Sequence, residues 1–190
     1  MELFIERHKQ ILDIYNRYKD KIPAFYEDIV SSCSKKLLSR DKQVSSYGMF
    51  LPHEDMKYAV GEYKGRLTKN EKNANFKYYF DENDRVILTE RYGIDYIFYF
   101  YNTDCVEMVW YSLRRQRIDM ISILQYCDQK ISTFMQTQTL CQPIGDRKFG
   151  FYNYTYNYVG KDLEVELQIL GLYPNGQIMK SSKLIRYHYI

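Results

Sequence analysis

The sequence predicts an α+β fold, in which N-terminal helices are followed by a long antiparallel β-meander. Apolar residues recur at helical spacing up to about residue 39, and beyond Tyr58 their period changes to two. The chain is also rich in tyrosine, with 21 among its 190 residues, and the tyrosine ring favours strands. We therefore expect one domain over residues 1–190, with a helical segment over 1–45 that packs on a meander over 58–190.

The helical segment is expected to contain two helices. Phe4, Ile11 and Tyr18 fall on one side of a helix that runs from residue 2 to about residue 20. Pro23 suits the first turn of a second helix, and the apolar stripe then continues to about Ser39.

The meander is expected to have roughly eight to ten strands joined by short turns. Pro174-Asn175-Gly176 is the clearest turn signal. The segment 118–140 fits a strand pair but also a helical stripe, so both readings stay open there. A sheet this wide is expected to curl into a half-barrel or barrel, or to fold over the helices. The candidate strands are 58–67, 76–80, 85–92, 94–101, 105–113, 118–126, 131–140, 148–159, 162–172 and 178–189.

Charge and composition argue against several classes of protein. The net charge of +3 is small and not concentrated in one half, so neither nucleic acid nor a membrane is predicted as a partner. No apolar run has the length of a membrane span. The four cysteines, none at CxxC spacing, are interpreted as reduced thiols of a cytoplasmic protein. No two of the three histidines stand at a metal-ligand spacing, so we predict no metal and no cofactor.

No familiar catalytic motif occurs, so an enzyme is less expected than a binding protein. The chain contains no GxSxG sequence and no glycine-rich phosphate loop. Asp162, Glu164 and Glu166 alternate with apolar residues and would share one face of a strand. These carboxylates could serve acid–base catalysis or contact a basic partner, or they could simply solvate an outer face.

Two further groups are candidate binding residues. Arg114, Arg115 and Arg117 would lie at a hairpin bend, where they could bind an anion or merely solvate the turn. Four tyrosines would share one strand face as a protein-binding surface, a stacking platform for bases or sugars, or an aromatic ladder within the sheet. These tyrosines are Tyr152, Tyr154, Tyr156 and Tyr158.

One segment resembles a known repeat unit. Residues 78–86 run Tyr-Tyr-Phe-Asp-Glu-Asn-Asp-Arg-Val, which is similar to the hairpin unit of YD-repeat shells, with Asp84 where that unit usually has glycine. More broadly, the tyrosine-rich composition without a catalytic motif resembles the immunity proteins of bacterial polymorphic toxin systems. This resemblance implies a single α+β domain that binds a toxin, and it assigns no functional residue.

Three functional hypotheses follow. The first is a non-catalytic protein-binding module, specifically an immunity-type inhibitor of a toxin domain. The second is a barrel-like binder of a small apolar or aromatic ligand on the concave face of the sheet. The third is an enzyme whose site is assembled only in the fold, with the three carboxylates as candidates. The identity of the partner and the oligomeric state are left open.

Overall fold

The computed structural model of the chain describes residues 2–42, 65–137, 150–172 and 177–188. Two helices precede the sheet, and a short 3-10 helix, Glu71–Asn73, lies between its second and third strands. The helices are α1 (Glu2–Tyr18) and α2 (Ile22–Ser32). The strands are β1 (Lys35–Arg40), β2 (Arg66–Leu67), β3 (Phe76–Phe80), β4 (Val86–Arg91), β5 (Asp95–Tyr101), β6 (Cys105–Ser112), β7 (Arg117–Cys127), β8 (Lys130–Thr137), β9 (Gly150–Val159), β10 (Asp162–Leu172) and β11 (Ile178–His188).

All the strands belong to one antiparallel sheet that does not close. Its order is β11-β10-β9-β8-β7-β6-β5-β4-β3-β1-β2, so from β3 to β11 each strand pairs with the next one along the chain. This arrangement confirms the predicted meander, and the sheet makes up more of the chain than the prediction implied. Of the segment 118–140, residues 118–137 contain β8 and all of β7 but its first residue, which resolves the strand-or-helix alternative in favour of strands there; residues 138–140 lie outside the described residues.

The helical prediction for residues 1–45 is wrong for the described residues from Cys33 to Lys42. The second helix ends at Ser32, and Cys33 takes an extended conformation with φ −61° and ψ 140°. The following residues form β1, which pairs with β3 from Lys35↔Phe80 to Ser39↔Phe76. Pairing with a buried aromatic strand thus overrides the helical spacing of Cys33 and Leu37.

The expected strand over 58–67 appears only as β2, Arg66–Leu67. Most of that prediction lies outside the described residues, as does the Pro174-Asn175-Gly176 turn.

The first apolar cluster lies between the helices and one face of the sheet, called here the helix face. Ile11, Ile14 and Ile22 are almost completely buried against it. Phe4 contacts Phe151 edge-to-face at 5.3 Å, so α1 reaches as far as β9. The sheet residues of this cluster come from alternate positions of the strands, namely Tyr79, Leu88, Phe98, Val109, Ile118, Ile121, Ile123, Met135, Phe151 and Leu170.

The second apolar cluster lies on the other face of the sheet, called here the opposite face. All its members are strand residues, which indicates that the sheet curves around them. Tyr78, Leu124 and Leu163 have no exposed surface, so side chains fill the space beside them. Because apolar residues are buried on both faces of the sheet, a single layer of strands can form a full hydrophobic core.

The hairpin between β3 and β4 has the geometry that its sequence suggests. The Asp81 carboxylate accepts backbone N–H bonds from Asn83 (3.0 Å) and Arg85 (2.9 Å) and a guanidinium bond from Arg85 (2.7 Å). Asp84 has a φ of +62°, the left-handed conformation for which the repeat unit usually supplies glycine. Aspartate tolerates this conformation better than most residues, so the hairpin forms without the glycine.

No helix among the described residues combines the length and the apolar character that a membrane span requires.

Candidate functional site

An ion pair between an exposed arginine and a buried glutamate joins α1 to the middle of the sheet. Glu107 on β6 is 7% exposed and accepts bonds from Arg17 Nη1 on both carboxylate oxygens, at 2.9 and 2.8 Å. The Tyr18 hydroxyl donates to the same carboxylate at 2.9 Å, and burial raises the pKa of Tyr18 to about 12. The Tyr18 ring stacks on Phe100 with centroids 4.0 Å apart. These contacts hold the helix in place and leave the carboxylate with no free oxygen.

A second ionic network lies under α2. Lys77 Nζ lies 3.0 Å from Glu90 and 3.5 Å from Glu71, and the Tyr79 hydroxyl donates to Glu90 at 3.5 Å. Burial, and then the charge of Glu90, raises the pKa of Tyr79. Because Lys77 compensates the buried Glu90 carboxylate and also contacts the exposed Glu71 carboxylate, the network is explained by stability alone.

The tyrosine row predicted on β9 lies on the opposite face. Tyr156 is buried at 6% exposure within the second cluster, and Tyr154 packs on Phe134 with ring centroids 5.8 Å apart. The Tyr158 hydroxyl donates to the Ile131 carbonyl at 3.1 Å. Tyr152, half-buried, shares this face through its pairing with Gln136. Tyr154, Tyr156 and Tyr158 thus pack within the sheet as an aromatic ladder, and the buried Tyr156 offers little surface to a partner.

The acidic row on β10 lies on the helix face, beyond the residues that the helices cover. Glu164 forms an ion pair with Arg186 of β11 at 2.7 Å. Glu166 accepts a bond from Gln168 at 2.9 Å, and all three carboxylate side chains, including that of Asp162, are half-buried. The row is thus partly neutralised by its own sheet rather than presented as free charge.

The arginine cluster at the β6–β7 bend is also internally paired. Arg115 lies 2.7 Å and Arg117 3.3 Å from the Asp119 carboxylate, while Arg114 is exposed. The bend follows the end of β6, whereas Asp162 begins β10, which runs in the same direction. The acidic and arginine groups therefore start at opposite ends of the sheet, and the structure does not bring the predicted groups into one site.

A stacked pair on the opposite face was not anticipated from the sequence. The guanidinium carbon of Arg91 lies 4.7 Å from the centre of the Trp110 ring. Arg91 Nε and Trp110 Nε1 are both buried and make no hydrogen bond in the described part of the chain. Each such donor costs on the order of 1–3 kcal/mol. Because neither atom has accessible surface, an incoming ligand cannot reach them directly.

The feature most suited to binding is the outer edge of β11. This strand has eleven residues and, within the described ranges, pairs only with β10. Residues 180–184 are all exposed, although their side chains alternate between the two faces of the sheet. Leu184 is the largest apolar side chain among them and is 58% exposed. In the described part of the chain, the strand therefore presents backbone N–H and C=O groups that pair with no other strand, together with accessible side chains on both faces.

Within the described residues, the edge at the other end of the sheet is shorter. The described part of β2 is Arg66–Leu67, so it offers few backbone groups to another strand. Short edge strands are a common protection against unwanted pairing, and β11 lacks that protection. The asymmetry singles out β11 as the candidate functional site.

Within residues 2–42, 65–137, 150–172 and 177–188, no group of three or more His, Cys, Asp or Glu side chains could hold a metal ion. Among the described cysteines, Cys33 and Cys105 are half-buried free thiols and Cys127 is an exposed free thiol.

Comparison with models of known protein families yields no match, and comparisons with curated proteins and with solved structures yield none either.

Proposed function

We propose that the protein is a non-catalytic protein-binding module whose contact surface is the outer edge of β11. The observation that carries this proposal is the length and exposure of that edge, which is open over residues 180–184 on both faces of the sheet. An added strand gains affinity from backbone hydrogen bonds, and alternate side chains give it specificity.

The surroundings of the edge favour a stable platform for such binding. β10 and β11 are paired along their whole length, from Asp162↔His188 to Leu172↔Ile178. On β10, Leu163 and Val165 are buried in the second cluster, which anchors the strand pair to the core. The edge is therefore held in an extended conformation before a partner arrives, which lowers the entropy lost on binding.

The narrower proposal is that the partner is a toxin domain and the protein is its immunity-type inhibitor. Its support is the resemblance of the tyrosine-rich composition, without a catalytic motif, to the immunity proteins of bacterial polymorphic toxin systems. It predicts that a neighbouring gene encodes a protein that arrests growth when expressed alone. Co-expression of this chain would restore growth and yield a complex that elutes as one species.

Cross-linking in the native cell tests the binding surface. The tagged chain is treated with an amine-reactive cross-linker, and the linked lysines are identified by mass spectrometry. Lys180 and Lys183 report on β11, while the exposed Lys9 on α1 and the exposed Lys19 just after its end serve as internal controls. We expect links from one partner protein to concentrate at Lys180 and Lys183.

The variant Leu184→Lys provides the second arm. It places a charge on an exposed side chain at the middle of the edge, so the fold is retained while an apolar contact is lost. Loss of the β11 links in this variant, with folding unchanged by circular dichroism, supports the proposal. Partner links confined to α1, or no partner link at any lysine, contradicts it.

A further inference from the structure

We infer that β11 accepts an acidic extended segment as an added strand, with two carboxylate side chains three residues apart and an apolar residue beside one of them. This inference rests on the proposed function and deepens it, because it specifies the chemistry of the partner.

The charge of β11 is one-sided. Residues 178–188 contain three cationic side chains, Lys180, Lys183 and Arg186, and no acidic residue. Arg186 already has a partner, since its guanidinium lies 2.7 Å from Glu164. Lys180 stands opposite Leu170, and Lys183 stands opposite Leu167. Neither lysine forms an ion pair within the described residues, so both charges are open to an incoming strand.

The two lysines lie on different faces of the sheet. Lys180 shares the helix face with Leu170, a member of the first cluster. Lys183 lies on the opposite face, because its cross-strand neighbour Leu167 pairs in turn with Tyr154 of the second cluster. Side chains of a strand alternate between faces, so carboxylates at positions i and i+3 of an added strand reach one lysine each.

Leu184 adds an apolar position to this pattern. It is 58% exposed and lies on the helix face, opposite Glu166. In an antiparallel added strand, the residue facing Leu184 directly precedes the one facing Lys183. The complementary segment therefore reads apolar, acidic, any residue, any residue, acidic, and its cross-strand pairs each stabilise it modestly.

A second copy of the chain fits this edge poorly. Pairing β11 with another β11 would bring together two strands that carry only positive charge, and like charges across a strand pair are destabilising. Lysines on an edge strand commonly prevent such self-association. The same charges favour an acidic partner strand, so the edge excludes its own copy and selects for opposite charge.

A synthetic peptide tests this chemistry directly. The probe is Thr-Val-Leu-Glu-Thr-Val-Glu-Thr, and the control peptide has lysine in place of both glutamates. Each is titrated into the ¹⁵N-labelled full chain while backbone amide resonances are followed. We expect the acidic peptide to shift resonances of residues 179–186 and to bind at least about fivefold more tightly than the lysine peptide, an effect within the range of two exposed ion pairs.

Matched variants locate the effect. K180E/K183E replaces both lysines of the edge with glutamate. We expect it to lower the affinity for the acidic peptide at least about fivefold and to bind the lysine peptide more tightly than the acidic one. K9E/K69E makes the same change in net charge at exposed lysines far from β11 in sequence, and is expected to leave the acidic peptide's affinity within about twofold.

Three results would overturn the inference. The two peptides could bind with equal affinity, the resonance shifts could fall outside β10 and β11, or the acidic peptide could bind K180E/K183E as tightly as the native chain. If cross-links in the cell still map to Lys180 and Lys183, the protein-binding function stands and only the acidic-segment chemistry fails. If the peptide binds as expected but cellular cross-links lie elsewhere, the edge binds such strands and the proposed cellular role of that edge fails.

Discussion

Replacing Glu107 with glutamine tests how α1 is held on the sheet. The native carboxylate is buried and accepts bonds from Arg17 at 2.9 and 2.8 Å and from Tyr18 at 2.9 Å. Glutamine keeps one oxygen but turns the other acceptor into an NH₂ donor, which faces the donors of its neighbours. A hydrogen bond to a charged group contributes about 1.5–3 kcal/mol. Water compensates part of the loss at Arg17, whose side chain is 47% exposed, so we expect a loss of about 2 kcal/mol.

The assays are urea denaturation and thermal unfolding, both followed by circular dichroism. For a chain of this length, about 2 kcal/mol corresponds to a fall in Tm of roughly 4–8 °C. Asp13→Asn makes the same chemical change at an exposed position of α1 and is expected to alter stability by less than about 0.5 kcal/mol. A Glu107→Gln variant as stable as the Asp13→Asn control would refute the reasoning that this carboxylate anchors the helix.

The remaining predictions concern pH, the second cluster and the β3–β4 hairpin. Burial raises the pKa of Tyr99 to about 12, so the folded state keeps a proton that the unfolded state releases above pH 10. The contribution of Tyr99 to the free energy of unfolding is therefore fully present below pH 10 and is lost as the pH rises towards about 12. A urea midpoint at about pH 11 that equals the midpoint below pH 10 contradicts this. Leu163→Ala removes a fully buried side chain and is expected to lower the free energy of unfolding by about 2–5 kcal/mol. The control Leu184→Ala changes an exposed side chain and is expected to lower it by less than about 0.5 kcal/mol. Equal urea midpoints for the two variants would refute the core assignment. Asp81→Ala removes the acceptor of two backbone N–H bonds and is expected to cost about 1 kcal/mol by the same assay, with Glu82→Ala, exposed in the same turn, as control; no difference between the two would contradict the role of Asp81.

Most strands could be predicted because alternation and turn residues act locally. β3 and β10 have the predicted bounds, and β4 to β8 differ from them by a few residues at most. β1 could not be predicted in the same way, because Leu37 and Leu38 are adjacent and continue an apolar helical stripe. Their strand conformation depends on pairing with β3, a contact between residues far apart in sequence. Local spacing carries no information on such a contact.

The candidate site was harder to predict than the fold. Alternation shows which side chains share a face, but not which face becomes covered. Tyr154 and Tyr156 were therefore identified correctly as neighbours, and their burial followed only from the second cluster. Likewise, Lys180 and Lys183 stand out only once β11 is known to be an edge strand, since strand order is a property of the whole sheet.

Hydrogen exchange at β11 tests the central claim most directly. In the free protein, the alternate amides of residues 178–188 that do not face β10 are expected to exchange quickly, because no strand covers them in the described structure. The partner protein identified by cross-linking is then added in the absence of the cross-linker. We expect its binding to slow the exchange of these β11 amides and to leave the exchange of α1 and α2 unchanged. Slowing confined to the helices, with β11 exchanging as fast as in the free protein, would contradict it.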